Sequence, residues 1–197
     1  MEDSLRSEMK IVEEPKKQLA MHPKKFAMWL FMASVMMLFA SLTSAYIVRE
    51  AEGNWLYFEL SELFYYTTFI ISISSITMQW SYFAAKKDAI YQVKLLISVT
   101  SVLGLAFLVG QFLAWGELVR NSVYLVGNPS GSFLYVLTGL HGLHIVSAVI
   151  FLLIVLNSAI SLRIHSKNMA QIEMCTTYWH FLGGLWVYLF IFFLINR

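Results

Sequence analysis

Six side chains in or beside apolar stretches carry whatever chemistry this chain could perform: His141, His144, His180, Gln111, Glu117 and Glu173. Burying an ionisable group in hydrocarbon is costly, so such residues are functional candidates by default. His141 and His144 are three apart, which puts both imidazoles on one helix face, and His180 falls in the next apolar stretch. Three imidazoles could hold zinc or copper. Against that, no carboxylate stands beside them to orient a ligating ring. A haem held by two histidines needs ligands on opposing helices with room for the macrocycle, and here two of the three share a face flanked by Leu140, Leu143 and Ile145. The favoured reading is that neutral imidazoles hydrogen-bond between helices, at about 0.6–2 kcal/mol each, with no metal and no cofactor on this chain. Glu173 suits a helix start, where a carboxylate meets the positive end of the dipole. No acid falls at mid-stretch, where a proton relay needs one. No catalytic residue is therefore assigned. Cys175 is the only cysteine, which excludes an intrachain disulfide and a cysteine cluster and reads as a buried inert thiol.

The elements that must position these residues follow from composition. Of 197 residues, 58% are hydrophobic and 13% charged, about half the charge of a soluble domain. Five apolar runs recur, at about 26–48, 63–84, 95–115, 133–162 and 174–195. Each is long enough for a helix to cross roughly 30 Å of hydrocarbon. They are apolar all round, whereas barrel strands alternate over about 10 residues, so the expected fold is all-α, a polytopic bundle of five transmembrane helices. The connections are short and polar, and residues 128–131, Asn-Pro-Ser-Gly, read as a turn. Residues 1–25 mix six Lys/Arg with five Asp/Glu and read as a solvated tail ahead of a domain spanning 26–197. The apolar run after it is too long for a secretory signal, so the first span is expected to stay in the mature protein.

Charge sets the expected orientation. The tail, second connection and fourth connection together hold 11 of the 14 Lys/Arg, leaving Arg49, Arg120 and Arg197 on the other side. The positive-inside rule then places the N-terminus in the cytoplasm and the C-terminus outside. A net charge of +2 gives no case for nucleic acid.

Small residues mark where helices should meet. Ser34, Ser41 and Ala45 share one face of the first span, and Ser72, Ser75 and Gln79 share one face of the second. Both stripes are expected mainly to pack within the bundle, with another subunit as the alternative. Glycine lowers helix propensity, so Gly139, Gly142, Gly183 and Gly184 are each expected to mark a close contact.

Two runs carry a family resemblance. Residues 131–144 read G-S-F-L-Y-V-L-T-G-L-H-G-L-H, similar to the G-S-x5-T-G-x-H-G-x-H signature of haem-copper oxidase subunit III. Residues 173–186 read E-M-C-T-T-Y-W-H-F-L-G-G-L-W, which resembles that family's E-x5-W-H-F-V-D-x-V-W helix. Residues 28–42 resemble its first shared helix more weakly, and Gln111 and Trp115 extend the likeness to about 26–195. The resemblance implies a short, five-helix bacterial form: an accessory subunit of a proton-pumping terminal oxidase that reduces O2 to water. It implies no redox cofactor on this chain, with haem and copper in partner subunits. The implied partners are oxidase subunits I and II, a small subunit IV and membrane phospholipids, in the bacterial cytoplasmic membrane. The implied signature residues are Thr138, Gly139, His141, Gly142, His144, Glu173, Trp179 and His180, with Gln111 and Trp115. His141, His144, Trp179 and His180 are expected to hold the two signature helices together. The chain departs from the family where intramembrane carboxylates would fall on Val35, Ala114 and Gly183, which shifts the weight toward scaffolding. The rivals are the accessory protein of a nitric oxide reductase system and, from another class, a small membrane transporter.

Overall fold

The computed structural model describes residues 23–161 and 169–196. The expected tail lies outside the described residues up to position 22, as does most of the fourth connection. Helices are the only regular elements among the described residues: α1 (Pro23–Ala51), α2 (Leu63–Lys86), α3 (Ile90–Arg120), α4 (Pro129–Ile160) and α5 (Ala170–Ile195). The all-α five-helix membrane bundle expected from the sequence is the fold observed; α1 and α3 extend past their apolar stretches at both ends, while α4 and α5 start four residues earlier than expected.

Among the described residues four helices are long and apolar enough to cross a membrane; α2, with 24 residues, has the length but not the composition. The reason lies in its hydroxyls. Thr67, Thr68, Ser72, Ser74 and Thr77 each donate to a carbonyl three or four residues back on α2 itself, at 2.7–3.1 Å. That satisfies each group inside the helix, as hydrocarbon demands. The outward face of α2 is instead Tyr65, Tyr66, Phe69, Ile76, Trp80 and Phe83.

Helices α2, α3, α4 and α5 close a ring, each packed on the next, and α1 lies outside it against α4 and α5 alone. The α2–α3 pair is the most intimate. Three residues join them, with Asp88 at φ 53° and the Ala89 amide donating to Ala84 O at 3.0 Å. A Cβ on Gly110 of α3 would strike the Thr67 methyl. Two tryptophans of α5 cross the centre: Trp179 lies over Gly104 of α3, and Trp186 meets the Phe107 ring edge-on with centroids 5.0 Å apart. Ring contacts also hold α1. Phe31 meets Tyr178 at 5.8 Å, Phe39 meets His144 at 5.8 Å and Tyr46 meets Phe192 at 5.0 Å.

Three expectations change. Residues 129–131 are the first turn of α4, not a free turn. Asn128 caps it by accepting from the Ser130 amide at 3.0 Å, with Pro129 at a position where a missing N–H costs nothing. The Asn128 side chain also reaches Leu56 N and Asn54 O, each at 3.3 Å, which ties the first connection to this cap. The Ser34–Ser41–Ala45 stripe of α1 is exposed rather than packed in the bundle. Its two hydroxyls donate to their own helix, to Phe31 O and Leu38 O.

The glycines also sort differently from expectation. A Cβ on Gly183 would lie 3.0 Å from Ser75 Oγ, a close contact; on Gly139 it would make ordinary contact with Trp115 at 3.7 Å; on Gly142 and Gly184 it would meet nothing within 4 Å. Gly184 instead floors a groove of about 590 Å³ shared with Met36, Phe39, Ala40 and Tyr188. The tightest positions, Gly104, Gly110 and Gly131, were not expected as close contacts: Gly104 and Gly110 accommodate side chains from remote parts of the chain, and Gly131 the backbone of Tyr124 in the connection just before α4.

Candidate functional site

The signature residues lie on α3, α4 and α5, but they do not form one bonded cluster. Trp115 Nε1 on α3 donates to Thr138 Oγ1 on α4 at 3.0 Å, and Thr138 donates onward to Leu134 O at 2.7 Å. Gln111 Nε2 on α3 donates to Thr67 Oγ1 on α2 at 3.0 Å. Trp179 Nε1 on α5 donates to Ser74 Oγ on α2 at 3.1 Å, and Trp186 Nε1 donates to Thr68 Oγ1 at 2.9 Å. Each bond joins an indole or amide to a hydroxyl whose own proton already serves its helix. The acceptor is therefore oriented, and neither the donated N–H nor the hydroxyl of the pair is left facing hydrocarbon.

The histidines part company. His180 bonds Gln79 of α2 at 2.9 Å, the one interhelical hydrogen bond among the three. His144 Nδ1 meets Leu140 O of its own helix at 2.7 Å and turns its ring to Phe31 and Phe39 of α1. His141 is fully buried and neither ring nitrogen has a partner. It packs on Trp186 at 5.2 Å, Phe107 at 5.9 Å and Phe39 at 6.4 Å. His141 thus touches α1, α3 and α5 from α4, through rings instead of hydrogen bonds. Of the four residues expected to hold the two signature helices together, His141 meets α5 through the Trp186 ring, whereas Trp179 and His180 bond α2 and His144 bonds its own helix. Trp179 and His180 both reach α2, because α5 presents that face to α2 while α4 presents His141 to the ring's centre.

The acids sit at the ends. Glu173, in the first turn of α5, accepts from Lys25 Nζ at 2.7 Å, joining the starts of α5 and α1 at one end of the bundle. Both partners are partly exposed, so the pair contributes at most about 1 kcal/mol. At the opposite end Ser61, just before α2, donates to the Glu117 carboxylate of α3. Val35 and Ala114 are buried at 3% and 0% exposure, and Gly183 is buried as well. Hydrocarbon thus fills two positions where the family resemblance would put carboxylates, and a bare backbone fills the third.

Among the described residues no group of three or more His, Cys, Asp or Glu is placed to hold a metal ion. The bonds described above fix the mutual orientation of the helices. His180→Leu should remove the one imidazole bond between helices and cost about 0.6–2 kcal/mol. His144→Leu should cost less, because its bond lies within α4. Thermal melting of the detergent-solubilised assembly ranks the two, and the reverse order would contradict this assignment.

Sequence reasoning missed Thr67, Ser74 and Ser81, which are buried on α2. Their spacing of seven was a usable signal, since it puts three hydroxyls on one inward stripe.

The family described as cytochrome c oxidase subunit III matches residues 14–196. A cytochrome c oxidase subunit 3 of Corynebacterium diphtheriae is 28% identical over 169 residues, covering 82% of each chain. A cytochrome c oxidase subunit 3 of a Bacillus species is 24% identical, covering 85% of this chain and 83% of its own. A cytochrome bo(3) ubiquinol oxidase subunit 3 of Buchnera aphidicola is 25% identical, covering 91% of this chain and 97% of its own.

Proposed function

The chain belongs to the cytochrome c oxidase subunit III family, and from that premise we propose that it is the non-catalytic accessory subunit of a haem-copper terminal oxidase that reduces O2 to water and pumps protons. The observation that carries this reading is a family match running almost from end to end. The bundle geometry supports it. The core is tied by indole–hydroxyl and amide–hydroxyl bonds, and no buried side chain among the described residues is an acid, lysine or arginine. Such a core suits a scaffold better than a proton relay.

On this reading haem and copper reside in partner subunits. The chain stabilises the haem-bearing subunit I, beside subunit II and a small subunit IV, with membrane phospholipids around it. The electron donor, cytochrome c or quinol, is selected by those other subunits. The assembly sits in the bacterial cytoplasmic membrane. The positive-inside rule gives an N-terminus in the cytoplasm and a C-terminus in the periplasm, so that the Lys25–Glu173 pair marks the cytoplasmic end.

The rival readings have less support. The three relatives described above are all oxidase subunits, which weighs against a nitric oxide reductase accessory protein. A transporter wants helices broken near mid-membrane, whereas α1 to α5 run uninterrupted.

The direct test is a blue-native gel of membranes solubilised in mild detergent. The tagged chain should migrate with haem absorbance, and a deletion strain should lose oxygen consumption. A tagged chain running apart from every haem band refutes the proposal.

A further inference from the structure

We propose that the core of the bundle binds one water molecule between the His141 imidazole of α4 and the Gln111 side-chain carbonyl of α3. The claim goes beyond the accessory-subunit reading and starts from unmet hydrogen bonds. Gln111 is 3% exposed and His141 is 0% exposed. The Gln111 Oε1 atom and both His141 ring nitrogens lack a partner. Leaving a buried polar atom unpaired is costly, and such groups usually mark a partner of another kind.

The direction of the Gln111 amide is fixed by its neighbour. Thr67 Oγ1 spends its only proton on Phe64 O, at 3.1 Å, so it can only accept from Gln111. The NH2 end must face Thr67, and the carbonyl oxygen must point elsewhere. Flipping the amide would set two acceptors against each other.

Register puts Gln111 on the stretch of α3 that packs against the part of α4 carrying His141. Helices α3 and α4 are packed neighbours joined by a short connection, so they run antiparallel. Phe107 contacts His141, with centroids 5.9 Å apart. One turn past Gln111, Trp115 bonds Thr138 at 3.0 Å. Gln111 lies on α3 midway between these two contacts to α4, the Phe107–His141 ring contact and the Trp115–Thr138 bond.

The chemistry then selects the ligand. A neutral imidazole offers one N–H and one acceptor nitrogen, and Gln111 Oε1 only accepts. Water can take the imidazole proton on its oxygen and give a hydrogen to Gln111. The ligand is uncharged, because no buried acid, lysine or arginine lies among the described residues to balance an ion. It is small, because Phe39, Phe107 and Trp186 enclose the ring. The bridge would join α3 to α4 at the level where Trp186 joins α5 to α2.

Two measurements test this. Density at water-resolving resolution in the intact membrane assembly should show one peak within hydrogen-bond distance of both side chains. A direct His141–Gln111 bond, or continuous empty space, overturns the proposal. The second is a double-mutant cycle with His141→Phe and Gln111→Leu, read by thermal melting of the full-length chain in detergent. Each single variant strands the other group, so each should lower Tm, and the double variant should melt no lower than the worse single one. Additive losses overturn the bridge. The cycle reads the same whether or not haem co-purifies, so this inference and the accessory-subunit reading can fail separately.

Discussion

Trp179→Ala should detach or unfold much of this bundle, at a cost of about 3–5 kcal/mol, the range for removing a buried indole. Trp179 is 1% exposed and its Nε1 donates to Ser74 at 3.1 Å. Its far edge occupies the space that a side chain on Gly104 would need: a Cβ there would lie 2.6 Å from Trp179 Cη2 and 3.2 Å from a Val149 methyl. Truncation therefore opens a void between α5 and α3 that Gly104 has no atoms to fill. In lipid this matters as it does in water, because helix association there rests on packing. The measurement is the melting temperature of the assembly and the fraction of this chain retained through purification. The haem spectrum of the surviving oxidase should not move. Gly104→Leu alone should also destabilise, by overpacking at roughly 1–3 kcal/mol. Trp179→Ala combined with Gly104→Leu should recover part of the loss, because volume is returned to the same place. A double variant no better than Trp179→Ala would show that shape at this contact does not govern stability.

The second large effect is expected at Gly131→Val. A Cβ at Gly131 would sit 2.6 Å from the backbone oxygen of Tyr124 and 3.3 Å from a Val123 methyl. The backbone there has little freedom to retreat. Ser132 Oγ donates to Leu125 O at 2.6 Å, and Tyr135 OH donates to Val123 O at 3.0 Å. Making room means breaking these bonds and loosening the Asn128 cap. The expected cost is about 1–3 kcal/mol, concentrated at this end of the bundle. Faster amide exchange and proteolytic cutting over residues 121–128 would report it. Gly139→Ala is the control: its Cβ would make only ordinary contact at 3.7 Å, and it should be close to silent. Equal damage from both substitutions would remove the argument from backbone contact.

These two positions show where sequence reading stops. Trp179 was visible as part of a motif, but its partner Ser74 is 105 residues away, and nothing in the order of residues pairs them. Gly131 was read as part of a turn, because Asn-Pro-Ser-Gly carries turn chemistry and helix-capping chemistry equally well. The α4 packing that decides between them is tertiary. The Ser34–Ser41–Ala45 stripe failed for a related reason. Spacing gives a shared face but not which way that face turns, and α1 turns it outward.

Length, hydropathy and charge determined by themselves that this chain is a bundle of helices for a membrane, because hydrocarbon accepts only segments that satisfy their own backbone. Two spaced signatures determined the family, because they preserve residue type and order. Tertiary structure alone decided what each polar residue does. His180 bonds α2, His144 its own helix, and His141 lies among rings of three other helices. A hydrogen bond spans about 3 Å, and which donor lies that close to which acceptor depends on how the helices rotate and cross, which no linear spacing specifies.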